Sequence, residues 1–328
     1  MTISVSRLLA LGVLLGAPAL AAMGATAPKC SAQLITELDL VETPDGSFLV
    51  PLSIEGKPVW MVLETGSSLT MLFQPAIDQL QLKTSLVGTS GSNVTVGKDR
   101  ITHKTILNSL VAGDHRYLPL IAGVMPGTQD DPLHEVEGKP VVGYLGTEAL
   151  SRTDFELHLA RRKLRLFSAE HCRGVGAYWT TEYAETGFGR DPYGGIYFAM
   201  GLEGKLVETS MSTASPQTTL ATTITRRAYG FDASSPGVEV EGDGRASFRA
   251  MAVTMPGLTL GDLRIRLVPG HEECGYRERI DSGSKAIAYD KCLLTFPMRL
   301  GRDVLRQMRL YVALKERKIY FSEAGAGR

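Results

Sequence analysis

The chain has 328 residues, with 35 Lys and Arg against 35 Asp and Glu, so its formal charge is zero and no block of like charge breaks the balance. Nucleic acid is therefore not an expected partner. Hydrophobic residues make up 44%, an ordinary globular share, and no segment beyond the N-terminus is apolar for the roughly 20 residues that a spanning helix needs.

The chain opens with a polar stretch holding Arg7, an apolar run from Leu8 to Leu20, and a small-residue site at Ala19-Leu20-Ala21. This is the pattern of a secretory signal peptide over residues 1–21. The run is too short, and too broken by Gly12, Gly16 and Pro18, to serve as a stable membrane span. Cleavage leaves 328 − 21 = 307 residues, room for two domain-sized units. The mature protein is expected to be exported, periplasmic or secreted. Its four cysteines, Cys30, Cys172, Cys274 and Cys292, then suggest two disulfides out of three possible connectivities. Cys30 and Cys172 bracket the first half and Cys274 and Cys292 sit together in the second, which favours pairing Cys30 with Cys172 and Cys274 with Cys292. Free buried thiols remain the alternative.

An internal repeat organises the rest. Ile54-Glu55-Gly56-Lys57-Pro58-Val59 returns as Leu202-Glu203-Gly204-Lys205-Leu206-Val207, an offset of 148. The same offset places Leu110, Gly113 and Asp114 on Leu258, Gly261 and Asp262. Leu145-Gly146 then matches Leu300-Gly301, and Phe155, Leu157 and Arg162 match Leu310, Val312 and Arg317, now at 155. The second unit is thus expected to carry seven extra residues between Asp262 and Leu300. Each unit opens with alternating apolar residues around a Gly turn, as in Phe48, Val50, Leu52 and Ile54, and closes with a strand pair turned at a charged cluster. Helical periodicity is scarce, so the class is all-β with short helices. The units are placed at 30–172 and 195–323, joined by a linker over 173–194.

At the end of the second strand of unit one stands Val62-Leu63-Glu64-Thr65-Gly66-Ser67-Ser68. An apolar strand running into acid-Thr-Gly-small, with a Gly-turned hairpin before it and Leu-Gly after it, resembles the retropepsin-like aspartic peptidases. The resemblance spans both units, roughly Phe48 to Phe167 and Tyr197 to Phe321. It implies two lobes in one chain, with an Asp-Thr-Gly turn from each meeting at the interface. Two such carboxylates cannot both ionise cheaply, so one keeps its proton and the pair acts as acid and base on a shared water.

This sequence departs from that pattern at both turns. Unit one has Glu64 for Asp, which adds a methylene and displaces the carboxylate. Unit two, at the same offset, reads Ser212-Thr213-Ala214, and Ser212 is neither acid nor base near neutral pH. The candidate site is therefore Glu64, Thr65 and Gly66 with Ser212, Thr213 and Ala214, a degenerate catalytic pair needing no cofactor and no metal. Asp281-Ser282-Gly283-Ser284 spells a second acidic triplet, but it follows a polar run, so a loop turn is expected. His271-Glu272-Glu273-Cys274 lacks the spacing of a metal site. Asn93-Val94-Thr95 is a glycosylation sequon. Gly88 to Gly97 and Pro236 to Ser247 fall where flaps over a cleft are expected, with mobile surface loops as the alternative.

The leading expectation is a pseudoenzyme, monomeric, that binds an extended peptide or envelope protein in the interlobe cleft. The first alternative is an active aspartic-type endopeptidase using Glu64, possible as a homodimer. The second is a structural protein whose cleft is closed.

Overall fold

The computed structural model describes residues 30–87, 95–96, 99–125, 133–191, 194–255, 258–271, 275, 277–281, 284–288 and 295–326. The signal-peptide reading, Cys274 and Cys292, the Asn93 sequon, most of the Gly88 to Gly97 segment and the centre of the Asp281 triplet lie outside those residues. Strands dominate, as the alternating pattern implies. The α-helices are short: Gln74–Leu80, Thr222–Ile224 and Arg302–Leu305. Among the described residues no helix is long and apolar enough to cross a membrane.

Two large sheets, one of 11 strands drawn from residues 41–145 and one of 10 strands drawn from residues 189–300, form two lobes. Their opening hairpins repeat the same construction. Phe48–Ile54 pairs with Lys57–Leu63, and Ile196–Leu202 pairs with Lys205–Met211. Both turn on Glu-Gly with positive φ at both residues, 48° and 80° at Glu55-Gly56, 47° and 78° at Glu203-Gly204. Such turns match the right-handed twist of the flanking strands. Each turn glutamate earns its left-handed backbone: Glu55 Oε1 accepts the amides of Asn108 (2.7 Å) and Ser109 (3.1 Å), and Glu203 Oε1 those of Met251 (2.5 Å) and Ala252 (3.0 Å).

The offset of 148 does not continue through the next hairpin. Val111 pairs with Ser53 while Thr254 pairs with Gly201. Likewise Gly123 N donates to Thr70 O, and Arg266 N to Thr218 O, each at 2.9 Å. Equivalent residues here are 254 − 111 = 143 apart, so Leu110 corresponds to Val253 and not to Leu258. The second lobe is five residues shorter before this hairpin and, since Gly146 and Gly301 are 155 apart, twelve longer after it. The expected insertion of seven was the net of the two. The hairpin Ala246–Met255/Leu258–Val268 carries register shifts between Ala250 and Thr254, and the spacing of 143 holds on both sides of them, since Arg249 opposite Arg264 matches Ile106 opposite Ile121.

A six-stranded sheet fastens the lobes. Its order is Leu34–Asp39, Lys163–Phe167, Asp154–His158, Met308–Ala313, Lys318–Glu323, Ala184–Gly187. The closing hairpins of both units lie side by side in it, with Phe155 opposite Val312 and Leu157 opposite Leu310. These four side chains are at most 2% exposed and belong to one core that continues through both lobes; each is worth roughly 1.5–3 kcal/mol of burial. Segment 173–194 is not wholly irregular. Ala184–Gly187 joins this sheet and Gly189–Arg190 pairs with the strand Ile196–Leu202.

The outer face of the six-stranded sheet is covered by Trp179, which packs with Phe167, Tyr311 and Tyr320 and donates from Nε1 to Ser322 Oγ at 2.9 Å. Buried Glu156 is held by Arg165, Arg309 and the Tyr178 hydroxyl, and buried Asp154 faces His171 Nε2 at 2.5 Å. The disulfide Cys30–Cys172 ties the chain's start to the end of the first unit.

Candidate active site

The strands Lys57–Leu63 and Lys205–Met211 end at the junction of the two lobes. The first loop residue of each is anchored alike: Glu64 N donates to Leu145 O (3.0 Å) and Ser212 N to Leu300 O (2.9 Å). The threonines then cross over. Thr65 N donates to Thr213 Oγ1 at 3.1 Å, and Thr213 N donates to Thr65 Oγ1 at 3.2 Å. Thr213 Oγ1 passes its own proton to Leu63 O at 2.5 Å. All these groups are buried, so each bond satisfies a polar atom that water cannot reach.

Crossing at the threonines sets Glu64 against Ser212. Glu64 Oε1 accepts the Gly66 amide at 2.6 Å and the Ser212 hydroxyl at 2.9 Å. Ser212, 1% exposed, in turn accepts the Ser215 amide at 3.0 Å. Burial pushes the Glu64 carboxyl above the usual range, while the Gly66 and Ser212 bonds and the charges of Arg299 and Arg302 pull it back. Gly66 is required by close approach: a Cβ there would stand 2.8 Å from both Glu64 Oε1 and Ser212 Cβ. Ala214 holds the equivalent position in the second loop.

Behind the loops each lobe has a matching brace. Thr70 Oγ1 accepts the Gly146 amide and Thr218 Oγ1 that of Gly301. The amide of Thr70 donates to Glu148 Oε1, and that of Thr218 donates to Asp303 Oδ2. Among the described residues Glu148 Oε2 is buried without a partner, and burial, partly offset by bonds to Thr70, pushes its carboxyl up to about 7.

Sequence reasoning missed three further groups. Arg302, 5% exposed, donates from Nη1 to Thr213 O (3.3 Å) and Ala214 O (3.1 Å), and from Nη2 to Asp45 O (2.9 Å). It fastens the second loop to the first lobe, and the sequence signal was an arginine directly after the repeat's Leu-Gly. Buried Asp191 accepts Ser68 Oγ at 2.6 Å and the Gly195 amide at 2.9 Å, tying the linker to the first loop. Nothing in the local sequence marks it. Glu148, the third, follows Leu145-Gly146 at the spacing at which Asp303 follows Leu300-Gly301. Asp281, by contrast, pairs with Ser284 across a hairpin that meets Lys205–Met211 at Leu206 and Val207. Six residues of strand, about 20 Å, separate that point from Ser212.

Chemically, the junction offers one carboxylate facing a hydroxyl donor. Activating water by a shared-proton carboxyl pair requires a second acid on the same water, and Ser212 occupies that side. Residues 50–149, which include this first loop and its brace, match the family described as aspartyl protease.

Over those residues the first unit is similar to the aspartyl protease family.

Among solved structures, a retropepsin-like aspartic protease from Rickettsia conorii shares 19% identity, covering 42% of this chain and 94% of its own, with a TM-score of 0.29. Conglutin gamma from lupine seeds shares 11%, covering 90% and 96%, at a TM-score of 0.45. Basic 7S globulin from soybean shares 9%, covering 90% and 96%, at 0.44. No curated protein matches the sequence. The matched unit carries the acid-Thr-Gly turn with Glu64 as its acid, and the unit facing it has no acid in its turn.

Proposed function

We propose that this protein is an exported, two-lobed aspartic-peptidase relative that has lost its catalytic pair and binds an extended peptide segment, free or part of an envelope protein, in the cleft between its lobes. The reading that carries this is the pairing of Glu64 Oε1 with the Ser212 hydroxyl at 2.9 Å, where a working pair would set acid against acid. Loss or displacement of an acid/base group costs on the order of 10² to 10⁴ in rate. A β-lined cleft binds main chain by hydrogen bonds that need no acid, so binding outlives catalysis. The division into lobes at 30–172 and 195–323 belongs to this proposal, as does export after residue 21, for which the Cys30–Cys172 bond is compatible support.

The rival, a homodimeric peptidase bringing two Glu64 carboxylates together, is disfavoured by one observation. The reciprocal threonine bonds lie within one chain and occupy the surface that a second first-lobe would need. Hydrolysis of unfolded protein between about pH 3 and about pH 7, where a coupled carboxyl pair is singly protonated, decides the matter. No pepstatin-sensitive cleavage is expected from the purified wild type. Introducing Glu64→Asp, Ser212→Asp and Ala214→Gly together is expected to restore some activity, and neither single Asp change to do so. Cleavage by the wild type that is abolished in Glu64→Gln would overturn the proposal.

A further inference from the structure

The duplicated sheets present matching faces with different chemistry. In the second lobe Arg266, Thr219, Arg299 and Ser210 are successive register partners across four strands. Partners in register share a face. One row further out, Arg249 stands opposite Arg264. The equivalent row of the first lobe is Gly123, Met71, Tyr144 and Val62, with Ile106 opposite Ile121 beyond it. Each of the four arginines therefore falls where the first lobe has Gly, Tyr or Ile. Lys104, opposite Gly123, is the first lobe's own cation in these rows.

Tyr144 and Arg299 show where these faces look. Burial and then the charge of Glu64 push the Tyr144 hydroxyl up, and Arg299 is one of the charges that draws Glu64 down. Both thus stand near Glu64, each two residues before the Leu-Gly glycine of its lobe. Met298 and Leu300, on either side of Arg299, are fully buried, so exposed Arg299 points away from its own core.

Among the described residues neither Arg266 nor Arg299 is engaged in an ion pair, and Arg266 Nε is buried without an acceptor. On this side Glu64 is already bonded by Gly66 and Ser212, Glu239 is paired with Arg264 at 2.6 Å, and Glu208, two residues before Ser210 on the same strand face, is itself engaged.

Resting on the cleft reading above, we infer that the ligand is an acidic extended peptide, its carboxylates on the Arg266/Arg299 wall and its alternate apolar side chains on the Val62/Tyr144 wall. Arg266 and Arg299 lie two strands apart across Thr219, about 10 Å between their Cα atoms. Acidic side chains two residues apart on an extended strand are about 7 Å apart at their Cα atoms, and their own reach covers the difference. The intervening side chain then points to the opposite wall, which is apolar. Arginine suits carboxylates because its planar fork presents parallel donors.

Selection of a displayed library of random peptides of about twelve residues against the folded protein, at low salt and near neutral pH, tests this. Binders are expected to be enriched in Asp and Glu at alternate positions. A selected peptide should lose about tenfold or more in affinity in Arg266→Gln/Arg299→Gln, while its Asn/Gln counterpart loses little between wild type and variant. Arg299→Glu should turn the enrichment toward Lys and Arg. Far-ultraviolet dichroism accompanies each variant to confirm that it is folded. Binders without acidic enrichment, or acidic binders indifferent to both variants, overturn this inference and leave the cleft reading standing. Failure to select any peptide overturns both. Equal competition by a single-stranded oligonucleotide replaces the peptide with a general polyanion and overturns the inference as stated.

Discussion

In the first lobe Thr70 takes the Gly146 amide on its hydroxyl and gives its own amide to Glu148; in the second, Thr218 does the same with Gly301 and Asp303. Asp303 accepts on both oxygens, Oδ1 from the Thr218 hydroxyl at 2.8 Å, whereas Glu148 leaves Oε2 buried and unpartnered. The two braces share a backbone plan and differ in their side chains. The threonine crossing lies beside the facing pair Glu64 and Ser212, and it is made by amides and hydroxyls that do not depend on what that pair is. Structure needs the amides and hydroxyls; catalysis needs the two acids.

The sharpest break between the lobes is at Gly143, whose counterpart is Met298. At Gly143 the pairing with Lys57–Leu63 shifts register, φ is +157°, and a Cβ would stand 2.0 Å from Met71 O. Gly143→Ala is expected to cost upwards of about 3 kcal/mol in urea unfolding, because backbone and not a side chain must yield. A loss under about 1 kcal/mol would mean that the two lobes are built alike at this point.

The threonines should rank unequally. Thr213→Val leaves both the Thr65 amide and Leu63 O buried and unpaired, whereas Thr65→Val leaves the Thr213 amide. At roughly 1–3 kcal/mol per orphaned group, the first should cost about 2–4 kcal/mol and the second about half of that. Equal losses would break the asymmetry.

Glu148 should make stability depend on pH. Its folded value of about 7 lies above the ordinary 4.5, so the folded state holds the proton more tightly. Its contribution is therefore greatest below about pH 4.5, falls as pH rises toward about 7, and is flat beyond. Glu148→Gln should remove that slope, about 3 kcal/mol over the window, and an unchanged slope would place the acid elsewhere.

The smallest effect concerns Glu64 itself. Carbon-detected NMR of its carboxyl should show one inflection, above the ordinary glutamate value, with no second coupled step. Two steps would reveal a second acid within reach and return the site to the peptidase class.

Part of this architecture was legible in the residues. Alternation at Phe48 to Ile54 reports a half-buried strand because side chains alternate faces, and Glu55-Gly56 reports a turn because few residues accept positive φ. The 148-residue spacing of Glu64 and Ser212 likewise foretold that they occupy equivalent loops. The equivalence of Leu110 and Leu258 failed because Leu-x-x-Gly-Asp is a common strand-and-turn string, and the five residues by which the second lobe is shorter before this hairpin make Val253 the true partner.

What the sequence determined by itself is local: strand periods, turn positions, and the absence of a carboxyl at Ser212, since residue type alone sets what can be protonated. Tertiary structure decided everything that depends on register between distant strands. It brought Glu64 Oε1 within 2.9 Å of Ser212, slid Arg302 beneath the second loop, set Asp191 against Ser68, and aligned Arg266 with Arg299 on one wall. A one-residue slip reverses every side chain's face. Which charges share a wall is therefore fixed only when the strands are paired.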